Sequence, residues 1–414
     1  MTPFPAVSSA PVAGVGARAA RALTAEFARH NRPGSALVTG ADHASGVVAA
    51  AVEALLPGDT LTLVPGERST AGLLRDHIAG LGSWISDRVK IVDTLAEAEP
   101  ADVVIIGEPL TGTAEETRAV LDGLAKHLND GAVVSVATPA VPGRTGGAAA
   151  ELFRQNAIFG VGSDLVIRNN PPLRVHKLRY SQADTRVAAT LAPAYRPSSV
   201  PVTRTMHIDS NGVAAAAVAL GLAALARTSR PHSKLWLVPA LAAAPIAAFF
   251  RDPERDVPAD PRAIVAAGDG RVLSVERVTE SRFDGGDFIR IAVFLSVLDV
   301  HVNRVPVAGR VTDFFVEEGG YANAMTAAAE HNVAAYTVLD TDHGTVVIAQ
   351  RTGLIARRIV QRIPVGTLVA RGERMGLIRF GSRTDVYLPA DKVTTEVAVG
   401  DTVIGGSSVV ARWK

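Results

Sequence analysis

The sequence predicts an α/β domain at the N-terminus and a mostly-β domain at the C-terminus, joined by an apolar helical hairpin. Three observations carry this. Residues 17–150 alternate apolar strand-like runs with helix-like segments. Residues 196–256 hold two uncharged stretches, Gly212–Ala226 and Leu235–Phe250. Residues 257–414 are short Val/Ile-rich runs separated by Gly and Asp. A chain of 414 residues exceeds one ordinary domain. We divide it into 1–195, 196–256 and 257–414.

Composition narrows the function classes. The formal net charge is +1, so no general attraction to nucleic acid is expected. There are no cysteines, which excludes disulfides, thiolate metal sites and cysteine nucleophiles, and no metal site is expected. The opening "MTPFPAVSSAPVAGVGARAARAL" lacks a charged start followed by an apolar core. No signal peptide is expected, which places the bulk of the chain in the cytoplasm.

The N-terminal elements follow in order. "ARAARALTAEFARH" has helical spacing, "SALVTG" is a strand, "SGVVAAAVEALL" a helix, and "DTLTLVP" and "DRVKIVD" are strands. "ADVVIIGEP" is a wholly apolar strand, "TAEETRAVLDGLAKHL" a capped amphipathic helix, and "GAVVSVAT" closes the series. Apolar strands separated by helices imply a parallel sheet covered on both faces, a Rossmann-like domain. Residues 17–195 resemble a Rossmann-like methyltransferase, and "LVTGADHASG" sits where such a fold would cradle S-adenosylmethionine. Gly40, Asp42 and Gly46 would form that loop, and Glu67 would take the ribose hydroxyls. Asp42 and Ala44 stand where a glycine-rich motif wants glycine. A degenerate domain that shields or regulates its neighbour is therefore preferred to an active methyltransferase.

The two apolar runs flank the basic loop "RTSRPHSK". Crossing a bilayer takes about 20 apolar residues. The runs are somewhat short, and Pro239 and Pro245 would bend the second. A membrane hairpin or re-entrant anchor, with Trp236 near an interface, is preferred to a pair of buried helices. A hairpin dipping into the cytoplasmic leaflet keeps the large domains in the cytoplasm.

The C-terminal part carries an internal echo. "VGTLVARG" from Val365 and "VGDTVIGG" from Val399 both read V-G-x-x-V-x-x-G and start 34 residues apart. Paired glycines that tighten facing hairpins suggest a folded-over β-sandwich of lipoyl-carrier type. "NAMTAAAEHN" reads as a helix that interrupts the strands.

Gly381-Ser382 in "RFGSR" lies between the two copies and alone would read as a turn. It follows Asp269 in "AAGDGRV" and His301 in "FLSVLDVHVNRVP", with "FFRDPERDVP" ahead of all three. Together these resemble the phosphatidylserine decarboxylase family in its short bacterial and archaeal form, over about residues 245–414. The resemblance implies a self-processing pyruvoyl enzyme cut between Gly381 and Ser382. Ser382 Oγ would attack the Gly381 carbonyl, with His301 as base and Asp269 fixing its tautomer. Elimination of the ester and hydrolysis of the dehydroalanine would leave a pyruvoyl group on an α chain of 33 residues, 382–414. That ketone would form a Schiff base with phosphatidylserine and accept the electrons left by the departing carboxylate, giving phosphatidylethanolamine and CO2.

The long form of the family has a second histidine three residues after the first. Here Arg304 stands there, so the proton donor is not assigned. His331 and His343 read as loop histidines. Arg304, Arg357 and Arg358 are candidates for the lipid phosphate. Gly406-Ser407 competes as a cleavage site, but it occupies a glycine position of the second echo. The partners expected are phosphatidylserine, membrane lipid, the cleaved α chain and a second copy in a homodimer, at the cytoplasmic face of the cell membrane. Two alternatives remain: a pyruvoyl decarboxylase of a soluble amino acid, and a silent β carrier or scaffold.

Overall fold

The computed structural model describes residues 14–140, 147–194, 199–230, 232–283, 285–354, 358–378 and 382–414. The chain divides into two compact units after Ser181.

In the first unit, strands β1 (Ser35–Ala41), β2 (Thr60–Pro65), β3 (Val89–Ile91), β4 (Ala101–Ile106), β5 (Leu128–Pro139), β6 (Gly160–Val166) and β7 (Leu173–Leu178) form one sheet. Their order is β3-β2-β1-β4-β5-β7-β6. The first five are parallel, and β7 runs antiparallel between β5 and β6. Helices α1 (Ala17–Ala28), α2 (Gly46–Glu53), α3 (Ala71–Gly80), α4 (Ser83–Ser86), α5 (Ala114–Leu124) and α6 (Gly147–Phe159) accompany it. Neighbours on β1 point into different cores: Val38 packs with Leu23, Val48 and Leu63, and Leu37 with Val104, Leu121 and Leu152. This is the two-faced burial that a wholly apolar parallel strand implies. Thr113 and Glu116 close a capping box on α5.

The sequence reading stopped at β5 and missed β6 and β7. Their pattern is masked by buried charge: Lys177 is 2% exposed and pairs with Glu26 at 3.2 Å and Asp164 at 3.4 Å. Lys177 and Arg29 hold the Glu26 carboxyl far below its usual range, against the opposing pull of burial.

The second unit starts earlier than the sequence suggested. Residues 182–194 belong to it, because Ala183, Ala188 and Leu191 bury against Leu368 and Ala370. Next come β8 (Val200–Pro201), β9 (Met206–Ile208), α7 (Ser210–Ser229), α8 (Leu237–Phe249) and β10 (Arg251–Pro253). The remaining strands are β11 (Ala263–Val265), β12 (Gly270–Glu280), β13 (Gly286–Leu295), β14 (Val302–Arg304), β15 (Gly309–Glu317), β16 (Ala334–Thr341), β17 (Gly344–Arg351), β18 (Ile359–Gln361), β19 (Leu368–Val369), β20 (Arg374–Ile378), β21 (Ser382–Pro389), β22 (Val393–Thr395), β23 (Thr402–Val403) and β24 (Val409–Trp413). The helix expected over "NAMTAAAEHN" is a single 3-10 turn, Ala327–His331.

An eight-stranded sheet of order β19-β15-β16-β17-β21-β13-β12-β23 is accompanied by three three-stranded sheets, β10-β9-β8, β14-β20-β18 and β11-β24-β22. The echo is structural. Gly366 and Gly400 have φ of 87° and 99°, and Gly372 and Gly406 have 77° and 80°, values that favour glycine. The strands of the two copies, β19 and β23, take the two edges of the large sheet. At its centre, Thr341 pairs with Gly344 to close a tight hairpin. Leu295 pairs with Ser382 in the same way, but residues 296–381 take the place of the turn.

α7 and α8 pack on each other, and their root buries Phe249 and Phe250 against Leu377, Ile208 and Val360. Pro239 falls in the first turn of α8, where proline is tolerated, and Pro245 lies inside the helix. α7 has 20 residues, about 30 Å at 1.5 Å per residue, yet only 17% of its apolar window is buried.

Candidate active site

Ser382 opens β21 and is fully buried. Alternation along the strand puts its side chain on the face shared with Thr384, Val386 and Leu388, towards the main core of the unit. His301 ends the loop that follows β13. Its carbonyl accepts the Ile378 amide at 3.3 Å, and β14 then pairs with β20. Ile378 precedes Ser382 by four residues, a reach of at most about 14 Å. Three residues therefore connect the ladders β14/β20 and β13/β21, with His301 bonded to the end of β20 and Ser382 at the start of β21. Gly381 lies outside the described residues.

The His301 ring is oriented by the Asp299 carbonyl, 2.9 Å from Nδ1. A carbonyl can only accept, so Nδ1 carries the proton and Nε2 holds the free lone pair. Nε2 is buried with no hydrogen-bond partner among the described residues. Phe249 covers the ring at a centroid distance of 4.3 Å. Burial pushes the imidazole down to about 4, with a smaller opposing effect from Asp299. At neutral pH it is an uncharged base.

Ser382 Oγ is likewise buried without a partner, as are Asn303 Nδ2, Gln350 Oε1 and Thr384 Oγ1. Asn303 lies two residues after His301 and thus on the same face of its strand. Gln350 Nε2 donates to Asn303 Oδ1 at 2.7 Å, and Gln350 pairs across the ladder with Thr384. The two strand faces meet at Gly268, where a Cβ would lie 3.2 Å from both Asn303 Nδ2 and Thr384 Oγ1. Native interiors rarely leave so many buried polar atoms unpaired, and clusters of them mark functional sites. The sequence reading missed Gly268, Asn303, Gln350 and Thr384. Their signal was a polar residue inside an apolar strand, as in "VVIAQR".

Asp269 does not hold His301. Its carboxylate pairs with Arg255 at 2.7 Å and accepts the Gly405 amide at 2.9 Å. The tautomer role expected of it belongs to the Asp299 carbonyl. Arg304 is not open to a lipid phosphate either. It is 3% exposed and donates to Asp252, to the Pro253 carbonyl and to the Gly372 carbonyl. Burial and the neighbouring Arg374 push it down to about 10. Arg374 also pairs with Asp252, at 2.5 Å, so "RDPER" is a docking segment rather than a substrate clamp. Arg357 lies outside the described residues, and Arg358 is exposed. His331 lines a charged cleft with Arg282, Arg290 and Arg351, and His343 stacks on Trp413 at 4.3 Å. Ser407 is only a turn residue, its amide bonded to the Ile404 carbonyl.

In the first unit, the loop after β1 satisfies itself. Asp42 accepts the Ala44 amide, Ser45 caps α2 through the Val47 amide, and His43 reaches Ser69 at 3.2 Å. Gly40 has φ 69° and is crowded by Gly66 and Gly107, whose Cβ positions would lie 3.0 and 2.8 Å from its backbone. Gly46 packs on α1, and Glu67 is exposed two residues beyond β2.

Comparison with known proteins decides the family. The model of the phosphatidylserine decarboxylase family matches residues 243–411. The phosphatidylserine decarboxylase proenzyme of Symbiobacterium thermophilum is 48% identical over 168 residues, 40% of this chain and 77% of that protein. The chain belongs to the phosphatidylserine decarboxylase family. The Carboxydothermus hydrogenoformans proenzyme is 41% identical over 167 residues, 40% of this chain and 78% of its own. As a phosphatidylserine decarboxylase the chain is a carboxy-lyase, and the alternative of a silent scaffold falls away. Among solved structures, a precorrin-6y C5,15-methyltransferase of Geobacter metallireducens covers 39% of this chain and 87% of its own, at 17% identity and TM-score 0.30. An O-methyltransferase of Bacillus cereus covers 42% and 84%, at 15% and 0.29. Nothing is built on likenesses this remote; the Rossmann-like assignment stands on the sheet order itself.

Proposed function

We propose that this phosphatidylserine decarboxylase is a proenzyme that cuts itself between Gly381 and Ser382. The observations that support the reading are that Ser382 Oγ and His301 Nε2 are both buried with no hydrogen-bond partner among the described residues, and that His301 is bonded to Ile378, four residues before Ser382. His301 takes the hydroxyl proton as Oγ attacks the preceding carbonyl, and the C–N bond breaks to leave an ester. Loss of the Cα proton breaks the Cβ–O bond and frees the Gly381 carboxylate. Water then converts the dehydroalanine to a pyruvoyl group and ammonia.

The residues present fit that group. Asn303, Thr384 and Gln350 offer unpaired polar atoms beside it, and Gly268 leaves room. When present, the pyruvoyl group supplies the electron sink for decarboxylation. The chain's own part is to orient the substrate amine and exclude water. The Asp269–Arg255 pair holds the turn that carries Gly268. After cleavage, the 33-residue chain 382–414 stays in place because β21 lies between β13 and β17.

The α7–α8 pair anchors the enzyme in the cytoplasmic leaflet as a hairpin. Val213, Val218, Leu220, Leu222 and Leu225 are exposed around α7, and a helix apolar on all sides with little protein over it needs lipid. The β unit is a lipoyl-carrier-like sandwich, supported by the matched glycines of the echo. The first unit is a degenerate methyltransferase-like support, since its loop amides already have side-chain partners.

Mass spectrometry of the purified chain tests the core of this. A 33-residue fragment beginning with a pyruvoyl group is expected; an intact 43.1 kDa chain alone would refute self-cleavage.

A further inference from the structure

β13 and β17 both end at the edge of the sheet where Ser382 begins, since Leu295 pairs with Ser382 and Arg351 with Arg383. Exposed apolar residues follow each strand. After β13, Leu298 is 83% exposed and Val297 48%. After β17, Leu354 is 65% exposed. Single exposed apolar residues need no explanation, but these follow the two strands that flank Ser382. The loop bearing Leu298 is also tied to the root of the helix pair. Arg251, two residues past α8, donates to the Leu298 carbonyl, and Phe249 packs against His301 at the loop's end.

We propose that Val297, Leu298 and Leu354 form a second lipid contact, distinct from the helices, that seats the mouth of the site on the bilayer surface. Phosphatidylserine then reaches position 382 of the cleaved enzyme without its acyl chains leaving the membrane. Three features select lipid as the occupant: the substrate is a bilayer component, the Leu298 loop adjoins the α7–α8 root, and the only charged residue in the 296–300 loop, Asp299, is engaged within the loop, its carboxylate accepting the Ser296 amide at 2.7 Å. The inference rests on the anchoring reading above, and its test separates the two.

The chain has no cysteine, so Leu298→Cys and Leu354→Cys each give a unique labelling site in the full-length protein. Asp342→Cys, at the hairpin on the opposite end of the sheet, is the control. Labelled with an environment-sensitive fluorophore and mixed with phosphatidylcholine–phosphatidylglycerol vesicles, the 298 and 354 sites should shift to the blue and be quenched by spin-labelled lipid. The 342 site should do neither. Equal responses at all three sites, or none at 298 and 354, would overturn the proposal. A blue shift that grows with protein concentration without vesicles would also overturn it, by indicating a second copy as the occupant. Flotation of the unlabelled chain reports on membrane attachment as a whole: a chain that floats while its tips stay unshifted keeps the anchor and loses the second contact. Leu298→Asp adds a functional split. Decarboxylation of vesicle-borne phosphatidylserine should fall about tenfold, while a short-chain monomeric phosphatidylserine is turned over as before. Equal loss on both substrates would count against it.

Discussion

The ring of Phe249, the last residue of α8, lies 4.3 Å from the imidazole of His301, centroid to centroid. The apolar helices and the candidate base thus share one packing contact. Phe249 also helps to keep water from the ring, and burial is what keeps it neutral.

Self-cleavage should follow the charge of that imidazole. It must be neutral to accept a proton, and its folded value is about 4. The rate should be level above about pH 5 and fall below about 4, measured by appearance of the small fragment on a gel. Phe249→Ala, which admits water, should move the fall towards 6.5, the ordinary histidine value.

The same group links stability to pH. Above about 6.5 His301 is neutral both folded and unfolded, so stability is complete. Between about 6.5 and 4 only the unfolded chain binds the proton, and up to about 3 kcal/mol is lost. Denaturant midpoints of the uncleavable Ser382→Ala chain at pH 7 and 4.5 measure this. Adding His301→Gln should flatten that part of the slope. Ser382→Ala itself should give only intact chain.

Thr384→Val is close to isosteric and removes a buried hydroxyl that has no hydrogen-bond partner among the described residues. Its melting temperature should hold or rise, because no hydrogen bond is lost. Decarboxylation should nonetheless drop about tenfold or more. A fall in stability with unchanged turnover would assign the hydroxyl to the core.

Asp252 should behave in the opposite way. It is 2% exposed and joins Arg304 and Arg374. Asp252→Ala leaves the buried Arg304 without its carboxylate, while Arg374 keeps Glu254, and should cost about 3–5 kcal/mol in urea unfolding. Arg255→Met should slow self-cleavage much as Asp269→Asn does, if the carboxylate works by holding the turn. Normal cutting in Arg255→Met with none in Asp269→Asn would instead place the carboxylate at the reacting atoms.

Much of this was legible in one dimension. The parallel strands β1 to β5 were readable because both faces are buried, so their residues are apolar without alternation. The echoed glycines and the apolar helices were legible because each needs a particular residue type at a particular place. β6 and β7 were not, since Lys177 and Asp164 look like surface residues until Glu26 is brought to them.

What the sequence alone determined is which residues have the chemistry: a hydroxyl behind a glycine, an imidazole, a carboxylate in a turn. Which of them meet was decided by the tertiary structure. Asp269 turned to Arg255, Arg304 to Asp252, and the Asp299 carbonyl took the imidazole. The physical reason is that a buried charge goes to whichever partner the packed strands bring within hydrogen-bond reach, and that is set by ladder register across hundreds of residues rather than by the neighbours in the chain.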